Sequence, residues 1–329
     1  MALRIFVAGA SGYIGRHVAR ELARRGHEVV AFVRPRASHQ APTWAEQLEG
    51  CDVRQGEVTD ASSLAREGFG QQPFSAVVSC LASRSGAPDD AERVDYRANH
   101  LLLEQAMQSG ASHFLYVSAI CVQKPRLAFQ RAKLRFEAEL RNAPLAHTII
   151  RPTAFFKSLA GQVERVRRGK PFLVFGDGAL TRCCPVGERD LAAFLADCLE
   201  QRHHTGETVA VGGPGPPTTP REQGELLAAA FDRPPRLRSV PVWLFDGAIL
   251  ALAPLGRVSS RLAAKAEFAR IGRYYATESM LPWDPVRQRY TETGLLRIGE
   301  ETLRSFYERL AREGSHDQGL GEHALFDRA

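Results

Sequence analysis

The 329-residue chain has no long apolar run. Its most apolar stretch, 240–255, is broken by Pro241, Asp246, Gly247 and Pro254 and is too short to span a bilayer. No charged or apolar leader precedes the first strand-like run, which starts at Leu3, so a cytosolic protein is expected. The six cysteines (51, 80, 121, 183, 184 and 198) include no C-x-x-C pair and no metal-ligand spacing. Reduced thiols in core or loop positions are the expectation. Ten histidines are scattered in the same unpatterned way, and no metal site is expected. Charge of one sign is also limited. The net charge of +6 is too diffuse for a nucleic-acid footprint. It suits a phosphorylated or carboxylated ligand, or weak attraction to an anionic membrane surface. No internal repeat is present. With 44% hydrophobic residues, the length suits one large or two modest domains around a substantial core.

What is present begins six residues in. The run Leu3-Arg4-Ile5-Phe6-Val7-Ala8 breaks into Gly9-Ala10-Ser11-Gly12-Tyr13-Ile14-Gly15 and then into a helix-like stretch from Arg16. Strand, glycine turn and helix together cradle a dinucleotide pyrophosphate. Gly9 permits the turn, Gly12 admits the phosphates to the backbone, and Gly15 lets helix and strand pack closely. The helix N-terminus adds free N–H groups and positive dipole for the anion. The G-x-x-G-x-x-G spacing resembles that of extended and atypical short-chain dehydrogenase/reductases. Strand-like runs follow at 28–33, 51–55, 74–80, 112–118 and 146–151. Helical runs lie between them at 14–26, 60–67, 89–109 and 127–141. Such alternation predicts an α/β fold, a Rossmann-like doubly wound parallel sheet with helices on both faces. Residues 1–180 are expected to form the NAD(P)-binding domain. Residues 181–329 are expected to form a smaller, mainly helical substrate domain or cap, with the chain near 205–213 returning to the sheet.

A second absence bears on the cofactor. No acid lies between Glu28 and Glu46, where an NAD site would need one for the ribose hydroxyls. Arg34 and Arg36 stand there instead, fit to pair with a 2′-phosphate, so NADPH is expected. Asp60 follows the third strand, where it can cap a helix or meet the adenine. Cys80, Leu81 and Ala82 end the fourth strand and should run beside the cofactor, as should Ser118 after the fifth. A third absence bears on chemistry. The Tyr-x-x-x-Lys pair of ordinary short-chain reductases would fall on Phe129-Gln130-Arg131-Ala132-Lys133. Lys133 is in place to bond the nicotinamide ribose, but Phe129 has no proton to give. A plain ketone reductase or sugar epimerase is thereby disfavoured.

Longer strings carry a further resemblance: VVSCLASR from Val77, SAICVQKP from Ser118, FQRAK from Phe129, RPTAFFKSL from Arg151, GKPFLVFGDG from Gly169, DLAAFLADC from Asp190 and IGRYYATESML from Ile271. The set resembles the divinyl chlorophyllide 8-vinyl reductases of chlorophyll and bacteriochlorophyll synthesis, from about residue 4 to the tail. The resemblance implies that NADPH reduces the 8-vinyl group of a tetrapyrrole to ethyl, the conjugated ring serving as electron sink. Tyr274, Tyr275, Lys124, Cys121 or water would supply the proton. Phe155 and Phe156 would wall a slot for the flat ring, with Trp243, Phe245, Phe268 and Trp283 as further candidates. Lys157 or Arg273 would meet a propionate. Two other readings stay open: an atypical double-bond reductase of a smaller aromatic substrate, and a regulator that binds NADP without chemistry.

Overall fold

The computed structural model describes residues 2–35, 44–254 and 259–313. They form the strands β1 (Arg4–Ala8), β2 (Glu28–Val33), β3 (Asp52–Gln55), β4 (Ala76–Ser79), β5 (His113–Val117), β6 (Ala146–Pro152), β7 (Phe172–Phe175), β8 (Thr208–Gly212), β9 (Leu237–Val240), β10 (Trp283–Asp284), β11 (Arg289–Tyr290) and β12 (Leu295–Arg297). Eight of these build one sheet in the order β12-β8-β6-β5-β4-β1-β2-β3. Its strands run parallel, with Ile5 opposite Val29 on one side and Ala76 on the other. Apolar runs such as IFVA in β1 and VVAFV in β2 are buried on both faces, as a helix-covered parallel sheet requires. The fold class is therefore the Rossmann-like one expected. The strand order reverses between β1 and β4, and such a switch point is where doubly wound sheets bind ligands.

The chain divides into two compact units, one of Met1–Arg151 with Leu191–Val209, the other of Pro152–Asp190 with Ala210–Ala329. In the first, helix Tyr13–Arg24 buries Gly15, Val18, Ala19 and Leu22, an i, i+3, i+4, i+7 stripe. Helices Asn99–Gln108 and Ala128–Asn142 belong to the same unit. Its core gathers Phe6, Phe32, Phe69, Phe74, Phe114, Tyr116 and Phe136, with the Phe6 and Phe69 rings stacked 4.2 Å apart.

The second unit has its own core of Phe156, Val163, Phe172, Leu227, Phe306, Tyr307 and Leu310. Helix Pro220–Ala230 starts cleanly because Thr219 and Glu222 cap each other's backbone and Pro220 presets the first turn. Helices Trp243–Leu252, Ser260–Thr277 and Leu303–Glu313 follow. The expectation of a mainly helical second half misses several short strands. β7 pairs with β9 in parallel, and β10 pairs with β11 in a hairpin. With two to four residues each, they are too short to show a periodicity of two.

Candidate cofactor site

At the end of β1 the backbone turns at Gly9, whose φ is +80°. A Cβ there would sit 2.9 Å from the Cys80 carbonyl oxygen, so Gly9 is required twice, for conformation and for space. The Gly12 N–H donates to the Gly9 carbonyl at 2.9 Å and closes the turn. Gly12 is the N-cap of helix Tyr13–Arg24, in extended conformation and without a side chain to cap the helix. No acid lies in the first turn. The orphan N–H groups of that helix end are left for an anion. At Gly15 a Cβ would come within 2.2 Å of the Gly9 carbonyl oxygen. The loop is thus a cradle that side chains would fill, and it fits a dinucleotide pyrophosphate. Ser11, Tyr13 and Ile14 are half-buried along it.

Arg34 is exposed at the C-terminal end of β2, and Arg36 lies outside the described residues. Asp60 caps the turn Ala61–Ser63, accepting from the Ser62 N–H at 2.8 Å and the Ser63 N–H at 3.3 Å. Cys80 and Leu81 follow β4 directly against Gly9, and Ala82 beyond them is exposed. Burial pushes the Cys80 thiol up to about 12, so it stays protonated.

Phe129 is half-buried in the first turn of helix Ala128–Asn142. That helix is capped by Gln130, whose side-chain oxygen accepts from the backbone of Arg126 at 2.8 Å and Leu127 at 2.9 Å. Lys133, one turn on, is 4% exposed. Its Nζ lies 3.2 Å from Asp95 Oδ1 and donates to the Leu81 carbonyl at 3.3 Å and Tyr116 Oη at 3.4 Å. Burial opposes the lysine charge, but Tyr116 and Asp95 outweigh it, and its pKa is raised above the usual range. Ser118 donates to Glu137 Oε1 at 2.6 Å. Glu137 is fully buried. Burial works against its ionisation, yet Arg151, Ser118 and Arg141 hold its pKa below the usual carboxylate range. Neither Ser118 nor Lys133 thus points an uncommitted donor at an acceptor in this structure.

The residues expected to meet the substrate lie in the second unit. Phe156 is fully buried and stacked on Phe306 at 5.0 Å, so its ring belongs to that core and does not line a slot. Phe155 and Lys157 are half-buried. Arg273 bonds Asp246 through Nε at 2.5 Å. Adjacent on their helix, Tyr274 and Tyr275 face different surroundings, 4% and 40% exposed. Of the other proton-donor candidates in the first unit, Cys121 is buried and Lys124 half-buried. Asp95, the acidic partner of Lys133, was not singled out in the sequence. Its signal was an acid on the buried stripe Ala91, Ala98, Leu102 of a helical run.

A glycine cradle at the switch point, with a basic side chain just after β2, defines a dinucleotide-binding protein of Rossmann type. Residues 9–202 match the family model described as NAD(P)H-binding. Along 98% of its length the chain is 47% identical to the divinyl chlorophyllide a 8-vinyl-reductase, chloroplastic, of Oryza sativa subsp. indica, covering 82% of that protein. It is 44% identical to the Zea mays protein of the same name, with the same coverage. The chain belongs to the divinyl chlorophyllide a 8-vinyl-reductase family. Both relatives are named chloroplastic, and this overturns the expectation of a cytosolic protein. Among solved structures, the leucoanthocyanidin reductase–NADPH complex of Vitis vinifera shares the fold, with a TM-score of 0.68 at 14% identity over 94% of this chain and 100% of that one.

Proposed function

We propose that the chain reduces the 8-vinyl group of divinyl chlorophyllide, or divinyl protochlorophyllide, to ethyl with NADPH as reductant. The match to the rice enzyme along nearly the whole chain carries this reading. When bound, NADPH supplies a hydride, and the tetrapyrrole ring conjugated with the vinyl group takes up the negative charge. The Gly9–Gly15 cradle and the N-terminus of helix Tyr13–Arg24 would hold the pyrophosphate. Arg34 and Arg36 would pair with the 2′-phosphate. Reduction of a conjugated double bond needs no acid at a carbonyl oxygen. The phenyl ring of Phe129 and the commitment of Ser118 to Glu137 agree with that chemistry. Tyr274, Tyr275, Lys124, Cys121 or water would deliver the proton; of these Tyr275 is the most exposed side chain, at 40%.

The test is purified protein with divinyl chlorophyllide and NADPH, followed by the absorbance shift to the monovinyl pigment. One NADPH should be oxidised per vinyl group reduced. NADPH oxidation only with a smaller aromatic alkene would favour the other reductase, and NADPH binding without oxidation would favour a sensor.

We further infer weak association with an anionic membrane surface. Among the described residues no helix is long and apolar enough to cross a membrane. Helix Trp243–Leu252, however, buries none of its residues, and Trp243 and Leu250 are 65% and 79% exposed. Its flanks in sequence are basic. Residues 233–273 hold eight Lys and Arg against Asp246 and Glu267, an excess as large as the whole chain's. Apolar face and basic flanks together suit an interfacial helix. Co-sedimentation with phosphatidylglycerol vesicles, lost with phosphatidylcholine vesicles or in Trp243→Ser, is the expected result.

A further inference from the structure

We propose that Asp95 is a positioning residue for the cofactor: through Lys133 it holds the Leu81 carbonyl, and with it the wall of the glycine cradle, in place. The inference rests on NADPH being the cofactor.

The contacts form one continuous path within the first unit. Gly9 abuts Cys80 and Leu81 so closely that a Cβ would lie 2.9 Å from the Cys80 oxygen and 3.3 Å from the Leu81 nitrogen. Any shift of this strand end therefore closes or opens the space above the loop. The Leu81 carbonyl accepts from Lys133 Nζ, and Lys133 is fixed by Asp95, which is 1% exposed. Oδ1 of Asp95 also accepts from the Ser83 N–H at 3.4 Å, so the carboxylate holds the same segment at a second point. Its other oxygen, Oδ2, is buried and has no hydrogen-bond partner among the described residues. A buried carboxylate with a half-empty bonding shell is costly, and it is hard to explain as a device for stability alone.

Asp95 itself is firmly seated. It lies in a π-helical stretch, Ala91–Ala98, and widened turns of this kind are rare and concentrate at functional sites. Asn99 Nδ2 donates to the backbone carbonyls of Val94 at 3.2 Å and Asp95 at 3.1 Å. Asn99 Oδ1 accepts from Ser79 Oγ at the end of β4. Asp95 is thus tied through its backbone to the strand whose end it steadies through its side chain.

The groups facing Lys133 are Asp95 from the π-helical stretch, Tyr116 from β5, Cys80 beyond β4, and Glu137 one turn along its own helix. Burial pushes both Tyr116 and Cys80 up to about 12, so both stay neutral at assay pH. Glu137 is bound to Arg151 and Arg141. Asp95 is therefore the carboxylate in direct contact with the buried ammonium.

The experiment is NADPH titration by fluorescence, with thermal melts, on the full chain between about pH 7 and about pH 9. The wild type should bind NADPH with little dependence on Lys133 across this range. Asp95→Asn leaves a buried ammonium without its counter-ion, so Lys133 loses its proton at lower pH than in the wild type. NADPH affinity should then fall, by about tenfold per pH unit above the lysine pKa. The pair Asp95→Asn with Lys133→Met removes both charges; its melting temperature should return toward wild type while NADPH binding stays weak and independent of pH. A folded Asp95→Asn with wild-type affinity and a flat pH profile would overturn the proposal. So would a double variant that binds NADPH as the wild type does, and this second arm decides the matter if the single variant does not fold. Failure of the wild type to bind NADPH would refute the cofactor assignment instead.

Discussion

Replacing Gly15 by alanine sets two effects of opposite sign against each other. On helix propensity alone, Gly to Ala in a helix interior stabilises by up to about 1 kcal/mol. Packing at this position works the other way. The added Cβ would lie 2.2 Å from the Gly9 carbonyl oxygen, 2.7 Å from the Gly9 carbonyl carbon and 3.1 Å from Ala10 Cα. All three are backbone atoms, held by the 2.9 Å bond from the Gly12 N–H to the Gly9 carbonyl, and none can rotate aside. Comfortable contact is near ~3.5 Å, so helix Tyr13–Arg24 must withdraw from the loop by about 1 Å. Overpacking of this kind costs about 1–3 kcal/mol. The expected net loss is about 1–2 kcal/mol, or a fall in Tm of roughly 2–8 °C. Withdrawal also carries the first-turn N–H groups away from the pyrophosphate, so NADPH affinity should fall by about tenfold or more. Gly247 is the control. It lies in helix Trp243–Leu252, and a Cβ there meets nothing within 4 Å among the described residues. Gly247→Ala should stabilise by about 0.5–1 kcal/mol and leave NADPH binding alone. Melts by circular dichroism and NADPH fluorescence titrations read both. A Gly15→Ala protein that melts at or above the wild-type temperature and keeps its NADPH affinity would refute the steric argument.

Arg34→Ala should weaken NADPH by about tenfold to hundredfold and leave NADH nearly unchanged in competition titrations; equal losses for both would remove Arg34 from the 2′-phosphate. Phe129→Tyr should not raise the rate of vinyl reduction in steady-state assays with divinyl chlorophyllide, and a large gain would show that a missing phenol limits the chemistry. His113 is buried, its Nε2 2.9 Å from Thr148 Oγ1, and burial lowers its pKa to about 4. The unfolded chain takes up this proton near its ordinary pKa of about 6.5, and the folded chain only near 4. Stability is therefore complete above the higher value and falls by about 1.4 kcal/mol per pH unit between the two. Chemical denaturation from pH 7 to pH 4 should show this slope diminished in His113→Asn.

The first unit was legible because its signals are local. Strand runs such as Ile5-Phe6-Val7-Ala8, the glycines at 9, 12 and 15, and helical stripes such as Val18, Ala19, Leu22 each lie within a few residues. The short strands β7 and β9 were not legible, because Phe172 meets Leu237 across more than sixty residues of chain and neither run shows a period. The state of Lys133 was not legible either. Its spacing puts it on one helix face with Phe129, but its partner Asp95 is 38 residues away in sequence, and burial of both is a tertiary fact. Phe155 and Phe156 illustrate the same limit: neighbours in sequence, one half-buried and one stacked in a core.

The two units are interleaved along the chain, each made of two separate stretches. A ribosome that has delivered residues 1–151 has not delivered the first unit, which also needs Leu191–Val209. Arg25 shows why, since its guanidinium bonds Asp197 at 2.6 Å and Glu200 at 2.9 Å. The second unit likewise waits for the chain beyond Ala210. Neither half can be cut out at a single point and expected to stand alone. Assembly must also bring distant segments together before it is rewarded, which places this chain among slow folders. Its apolar strands stay uncovered in the meantime, so yield on expression should respond to chaperones and to temperature more than to any single contact in the finished fold.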